Sequence, residues 1–192
     1  MDMKAMFQLS YGLFVVTAKE GEKDNGCITN TAGQVTTTPN RITLAVNKNN
    51  YTHDMILRTG VFNVSILSEK AVFDTFRHFG FQSGRDVDKF AALGLHAEPG
   101  TVHPDCPILA ESPLALECRV TQTIPLGSHE LFLAVVEGVC VDESLLDSEG
   151  KLRLDRAGLI AYNHGEYRAL GKRLGTFGYS VRKKRPAHPK KR

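Results

Sequence analysis

Between Asn25 and Asp54 the chain crowds small polar residues among strand-forming ones, in the run NGCITNTAGQVTTTPNRITLAVNKNNYTHD. Thr29, Asn30, Thr31 and Gln34, with Thr36, Thr37 and Thr38 after them, can turn hydroxyls, amides and exposed backbone groups toward a flat heterocycle. The same residues also suit a threonine-rich strand with its polar face in water, and spacing by itself favours that plainer reading. The next segment is Asn47-Lys48-Asn49-Asn50-Tyr51-Thr52-His53. A strand is predicted to end near Val46 and a helix to start on Thr52 as its cap. A helix N-terminus offers unpaired N–H groups and a partial positive charge, which together make a phosphate cradle. Lys48 can add a full charge, and Asn47, Asn49 and Thr52 can donate hydrogen bonds. An ordinary polar loop closed by a threonine cap is the competing reading.

Two further segments carry polar side chains at useful places. In GFQSGRDVDKF (80–90), Ser83, Arg85 and Lys89 sit on a glycine-punctuated loop that leads into a short helix, where Lys89 can meet the same phosphate from across a cleft. Arg85, Asp86, Asp88 and Lys89 also form a near-balanced surface cluster of little energetic weight. In GSHELF (127–132), His129 follows a glycine turn at the mouth of a strand, and Glu130 points to the opposite face. His103-Pro104-Asp105-Cys106 has no second ligand pair at metal spacing, so no metal site is expected. Neither a GxSxG elbow nor an HExxH, GxGxxG or GxxxxGK[ST] motif occurs. The protein need not supply a nucleophile or a metal where a cofactor carries the chemistry.

The elements that must position these residues are short. Strand-like runs fall at 13–17, 33–38, 41–46, 61–67, 115–123 and 131–141. The alternation of Leu116, Cys118 and Val120 against Glu117, Arg119 and Thr121 predicts a half-buried strand with the second set outward. Helices are predicted at 52–59, at 68–79 behind a Ser68 cap, and at 86–93 before Gly94. Many strands, few helices and no regular βαβ alternation point to a barrel. At 192 residues, with 42% apolar and 23% charged side chains, the composition is that of one globular domain. The longest apolar run, 131–136, is far short of the ~20 residues of a membrane-spanning helix. No secretory leader is read at the N-terminus, so the expected location is cytoplasmic. Cys27, Cys106, Cys118 and Cys140 are widely spaced and are read as free thiols. The net charge is +3, but the last eleven residues, RKKRPAHPKKR, hold seven basic side chains and no acidic ones. Without those seven positive charges, the other 181 residues stand at −4. The reading is therefore a domain over 1–171, then an arm and a basic, disordered tail over 172–192.

The runs MDMKAMFQLSYGLFVVTA, NGCITNT, QVTTTP, LAVNKNNYTHD, GVFNVSIL, FGFQSGRDVDKF and GSHELFLAVVEGV together resemble the flavin reductase-like, FMN-binding split-barrel family. Within it they are most similar to the ferric reductases and to the flavin domain found ahead of rubredoxin. The likeness covers 1–171. It implies a mainly β fold, a Greek-key split β-barrel with a few short helices, forming a homodimer with non-covalent FMN near the interface. It also implies NADH or NADPH as co-substrate. By this likeness Thr29, Asn30, Thr31 and Gln34 line the ring. Asn47, Lys48, Asn49, Thr52 and His53 hold the ribityl phosphate with help from Lys89, and His129 orients the nicotinamide. Two departures stand out. Some ferric-reductase relatives place a cysteine on the strand that here reads Thr43-Leu44-Ala45-Val46, and this chain has Ala45. No rubredoxin-type CxxC pairs follow the domain, so a protein acceptor would be a separate molecule.

The expected function is electron transfer from NAD(P)H through FMN to free flavin, a ferric complex or a small redox protein. One alternative keeps FMN but takes electrons from a protein donor. Another is a non-catalytic binding protein that uses its basic tail on nucleic acid. The acidic body and the absence of aromatic residues in the tail weigh against that last reading.

Overall fold

The structure, a computed structural model, describes residues 3–71, 73–176 and 178. The basic run at 182–192 and Val72 of the predicted second helix lie outside the described residues. A seven-stranded antiparallel sheet dominates. Its strands are β2 (Phe14–Glu20), β3 (Lys23–Thr29), β4 (Gly33–Thr37), β5 (Asn40–Asn47), β6 (Val61–Ile66), β9 (Leu114–Leu126) and β10 (His129–Val141). They lie in the order β3-β2-β6-β9-β10-β5-β4. The two edge strands, β3 and β4, are consecutive in sequence and joined by residues 30–32, so the sheet rolls into a split barrel with Greek-key connections. Two shorter sheets accompany it. One joins β1 (Tyr11–Gly12), β11 (Ile160–Asn163) and β12 (Glu166–Ala169), and the other pairs β7 (Ala97–Pro99) with β8 (Pro107–Leu109).

Sequence dictates the curvature. In β5 the alternation is strict: Ile42, Leu44 and Val46 are buried, while Arg41, Thr43 and Ala45 are only half-buried. That pattern puts one face into a core, as a strand's period of two requires. The long β9–β10 hairpin turns on Gly127 and Ser128, with Gly127 at φ +63°, a left-handed conformation that glycine adopts without strain. Register shifts at Leu133/Ala134 and Val136/Gly138 mark bulges that bend the hairpin.

Three short helices cover the barrel. α1 (Tyr51–Thr59) sinks Met55 and Ile56 into the inner core beside Phe62 and Phe132, and it ends on Gly60 at φ +69°. α2 (Phe73–Phe81) and α3 (Lys89–Leu93) pack Phe76, Phe79 and Phe90 against the other face. Val15 and Val16 are consecutive and both fully buried, Val16 in the inner cluster and Val15 in the outer one. β2 therefore has protein on both faces.

Three sequence expectations shift. Residues 23–29, read only as a polar stretch, form a strand in register with β2. The second helix begins at Phe73 and not at Ser68, because Ser68 is drawn into a bridge with Leu159 and stays extended. The third begins at Lys89 because the Asp88 side chain accepts from the N–H groups of Phe90 and Ala91 and fixes the start there.

Glu117 departs most from the alternation rule. Alternation places it in the outward polar set with Arg119, yet it is fully buried. The loop at 99–106 folds over that face. The Glu117 carboxylate accepts from the N–H groups of Thr101 (3.0 Å), Val102 (2.8 Å) and His103 (2.7 Å) and from the Cys140 thiol (3.3 Å). Gly100 and Gly138 leave room for it, since a methyl at either would come within 2.7 Å of a Glu117 oxygen. Burial alone would raise the carboxyl pKa, but the hydrogen bonds from the His103, Val102 and Thr101 amides and the Cys140 thiol outweigh it and hold the group below its ordinary 4.5. A depressed folded pKa contributes stability above the unfolded value that disappears as pH falls through the folded one. Glu117→Gln is expected to cost about 2–3 kcal/mol in urea unfolding at neutral pH. The gap between the two proteins should narrow as pH drops below 4.5.

Candidate functional site

The strip that joins the two sheet edges is tied down by threonines. Thr31 Oγ1 donates to the Ala45 carbonyl of β5 (2.6 Å). Thr29 Oγ1 lies 2.7 Å from Thr31 Oγ1 and accepts from the Thr31 amide (3.2 Å). Both side chains, and Asn30 between them, are half-buried. Two residues beyond Ala45, β5 ends at Asn47, which faces His129 across the β5–β10 ladder. His129 Nδ1 lies 2.9 Å from Ser128 Oγ, and Ser128 in turn accepts the Lys48 amide through its carbonyl (3.0 Å). Thr29, Thr31, Asn47, Lys48 and His129 thus lie along one rim.

At the end of that rim the chain enters α1. The Asn47 side chain accepts from the Asn49 amide (2.9 Å) and its carbonyl accepts from Asn50 (2.9 Å), closing a tight turn. Asn50, and not Thr52, is the residue that precedes the helix, and its side chain makes no capping bond. The Tyr51 and Thr52 amides find no acceptor among the described residues. Thr52 turns inward instead. It is fully buried, and its hydroxyl accepts from Asn25 Nδ2 (3.0 Å).

This helix end forms one wall of a cleft of about 180 Å³. The opposite wall is the end of α2 (Gly80 and Phe81) with the loop at 82–84, and the floor is Asn25, Cys27 and Lys89. Lys89 is 4% exposed, and its ammonium donates to the Gly26 carbonyl on the free edge of β3 (2.8 Å). Burial lowers its pKa, with the neighbouring Cys27 raising it in part. Burial also pushes the Cys27 thiol up, against the pull of the Thr52 hydroxyl and Lys89, so Cys27 stays a neutral thiol at neutral pH. The Asn25 Oδ1 atom is buried without a partner. No carboxylate lines the cleft. Unpaired helix N–H groups, a desolvated ammonium and small hydroxyl or amide side chains around an acid-free cavity are the chemistry of a phosphate site.

The structure sorts the predicted residues. Asn49, Thr52 and Lys89 line the cleft, and Thr29, Asn30, Thr31, Asn47 and His129 lie along the rim that leads to it. Lys48 does not line it. Its amide is spent on the β9–β10 turn, and the cation inside is Lys89, which sequence reading had given only a helping role. His53 is not in it either. Its Nδ1 lies 3.0 Å from Asp54 Oδ1 and its Nε2 3.0 Å from Glu130 Oε2, with the ring against Phe132. Both nitrogens are committed to carboxylates, so His53 is a strut between α1 and β10. Gln34 is exposed on the edge strand β4 and borders a separate apolar cleft of about 340 Å³, with Phe14, Ile42, Val64, Leu116 and Val136. Sequence reading missed Asn25 and Tyr51 as cleft residues. The available signal was an Asn-Gly pair inside a strand, where neither residue is favoured.

The chain is 38% identical over 142 residues to the high molecular weight rubredoxin of Moorella thermoacetica, covering 73% of this chain and 60% of that protein. The chain thus spans less than two thirds of that relative. It is 32% identical over 151 residues to the ferric-chelate reductase (NAD(P)H) of Archaeoglobus fulgidus, covering 78% and 85% respectively. The solved structure of flavoredoxin from Desulfovibrio vulgaris (Miyazaki F) superimposes with a TM-score of 0.81 at 30% identity, over 90% of this chain and 93% of that one. A family model described as the flavin reductase like domain matches residues 6–171, and this establishes that the chain belongs to the flavin reductase-like family.

Proposed function

We propose that this chain holds FMN non-covalently and uses it to pass electrons from NADH or NADPH to free flavin, a ferric complex or a small redox protein. The observation that carries the reading is the cleft at the α1 N-terminus, in which Lys89 and unpaired amides face a cavity without a carboxylate. The FMN phosphate occupies this cleft, held by Thr52, Asn49, Lys89 and the α1 amides. Lys48 adds charge from the rim. The ring lies along Thr29, Asn30 and Thr31, with Gln34 beyond. When bound, FMN supplies the capacity to take two electrons from a nicotinamide and pass them on singly or together. The protein binds, orients and shields it. His129, opposite Asn47 at the rim, positions the nicotinamide amide. The names of the ferric-chelate reductase and flavoredoxin relatives support this class of chemistry.

The homodimer belongs to the same proposal. Its support is the apolar cleft beside Gln34 together with the exposed side chains of Val35, Leu126 and Val139. Four free thiols, three of them buried, fit a reducing, cytoplasmic location. A second reading, in which FMN is fed by a protein donor, draws on the likeness to flavoredoxin.

Four outcomes are expected. The purified protein should be yellow between 300 and 550 nm or become so with added FMN, and NADH or NADPH should bleach it without oxygen. A colourless protein that takes up no FMN overturns the proposal. His129→Ala should raise the KM for the nucleotide and leave FMN affinity unchanged, whereas the protein-donor reading requires that it change neither. Lys89→Met should weaken FMN binding by about tenfold or more, the loss of one charge-assisted hydrogen bond, and Lys48→Ala should weaken it less. Because burial sets the Lys89 pKa below its ordinary 10.5, FMN affinity should begin to fall as pH rises toward that value, and Lys89→Met should abolish this alkaline limb in a fluorescence titration.

A further inference from the structure

Arg85 follows Gly84, the last loop residue lining the phosphate cleft, and reaches across to the opposite wall. Its Nη2 atom lies 2.5 Å from Asp54 Oδ2, and Nη1 donates to the Asn49 carbonyl at 3.4 Å. Its guanidinium also lies 4.9 Å from the Tyr51 ring centre. Asn49 and Tyr51 belong to the helix wall of the cleft, while Gly84, next to Arg85, belongs to the loop wall. One side chain therefore bolts the two walls together. The loop packs closely on the floor of the cleft, where a methyl at Gly84 would sit 1.9 Å from Asn25 Oδ1. Gly84 is pressed against Asn25 from inside, and Arg85 clamps the same loop from outside.

Beyond Arg85 lies a different environment. A groove of about 440 Å³ is lined by Arg85 and Lys23 but also by Glu20, Glu22, Asp24, Asp86 and Asp88. Glu20 is paired with Arg58 and Asp24 with Lys19, and Asp88 caps α3. Glu22 and Asp86 have no cationic partner among the described residues. Arg85 thus borders a field of carboxylates. The inner cleft, by contrast, has none.

We propose that Arg85 is a specificity-determining residue that closes the cleft around a terminal phosphate, so that the chain selects FMN over FAD. FMN ends in a phosphate monoester, which the closed cleft accommodates. In FAD the equivalent phosphate continues into a second phosphate and adenosine, which must pass between Arg85 and α1 and then lie in the acidic groove. Selection arises from a steric barrier on one side and charge repulsion on the other. The inference rests on the FMN reading above, and it assigns Arg85 a role in choosing the ligand's far end and none in the reaction.

The test titrates the full chain, freed of flavin, with FMN, FAD and riboflavin and follows flavin fluorescence. The parent should bind FMN at least about tenfold more tightly than FAD, a difference of about 1.4 kcal/mol. In Arg85→Ala, FMN should weaken while FAD holds or tightens, so that the ratio falls about tenfold. Arg85→Lys keeps the charge but cannot bridge Asp54 and the Asn49 carbonyl together, and it should lose the preference too, which guards against a folding defect in the alanine variant. Equal ratios in parent and both variants, a parallel weakening of both flavins, or a parent that prefers FAD overturns the proposal. A parent that binds no flavin, or binds riboflavin as tightly as FMN, overturns the phosphate reading itself, and the two failures are thereby told apart.

Discussion

Lys89 is buried with its ammonium on the Gly26 carbonyl and with no carboxylate on the surrounding walls. Removing a cation from water without an anion to meet it is costly, and the lowered pKa of Lys89 registers that cost. Across the cleft the first turn of α1 presents amides that no side chain caps. Two uncompensated positive ends thus converge on one cavity, and a phosphate dianion relieves both. The rest of the architecture can be read as what holds these two groups apart and keeps acids away from the space between them.

Several contacts do this holding. His53 spans α1 and β10 between Asp54 and Glu130, and Asp54 also receives Arg85. One chain of charged groups therefore fixes the helix start relative to both the sheet and the loop at 82–88. Asp54 and Glu130 are both spent in that network, and neither lines the cleft. Lys89 serves a second purpose as well. By satisfying the Gly26 carbonyl it occupies part of the open edge of β3, which would otherwise be available for pairing with another strand.

The same logic of covering both faces explains the least expected residue. Glu117 lies on a strand whose pattern reads as half-buried, yet the loop at 99–106 closes over it and supplies three amides to its carboxylate. β2 is likewise enclosed on both sides, by α1 and the barrel interior and by α2 and α3. A rolled sheet with helices and loops outside has little free face. A period-two pattern alone cannot tell water from a covering loop.

The local sequence determined the strands of the barrel other than β3, the glycine turn before His129, the helix that follows Asn47, and the cluster of polar residues at 25–54. These follow from short-range physics: alternation, caps, and the φ values that glycine permits. Resemblance supplied the family, and the comparisons bear it out. What the sequence could not decide was which polar residue faces which space. Lys48 and Lys89 are both lysines near phosphate-like surroundings, but only the packing of α2, α3 and the edge of β3 puts Lys89 inside and leaves Lys48 at the rim. His53 and Glu130 are 77 residues apart, and Asn25 and Thr52 are 27 apart. Their meetings depend on the sheet closing upon itself, and a contact made by closure leaves no trace in the spacing of the residues that make it.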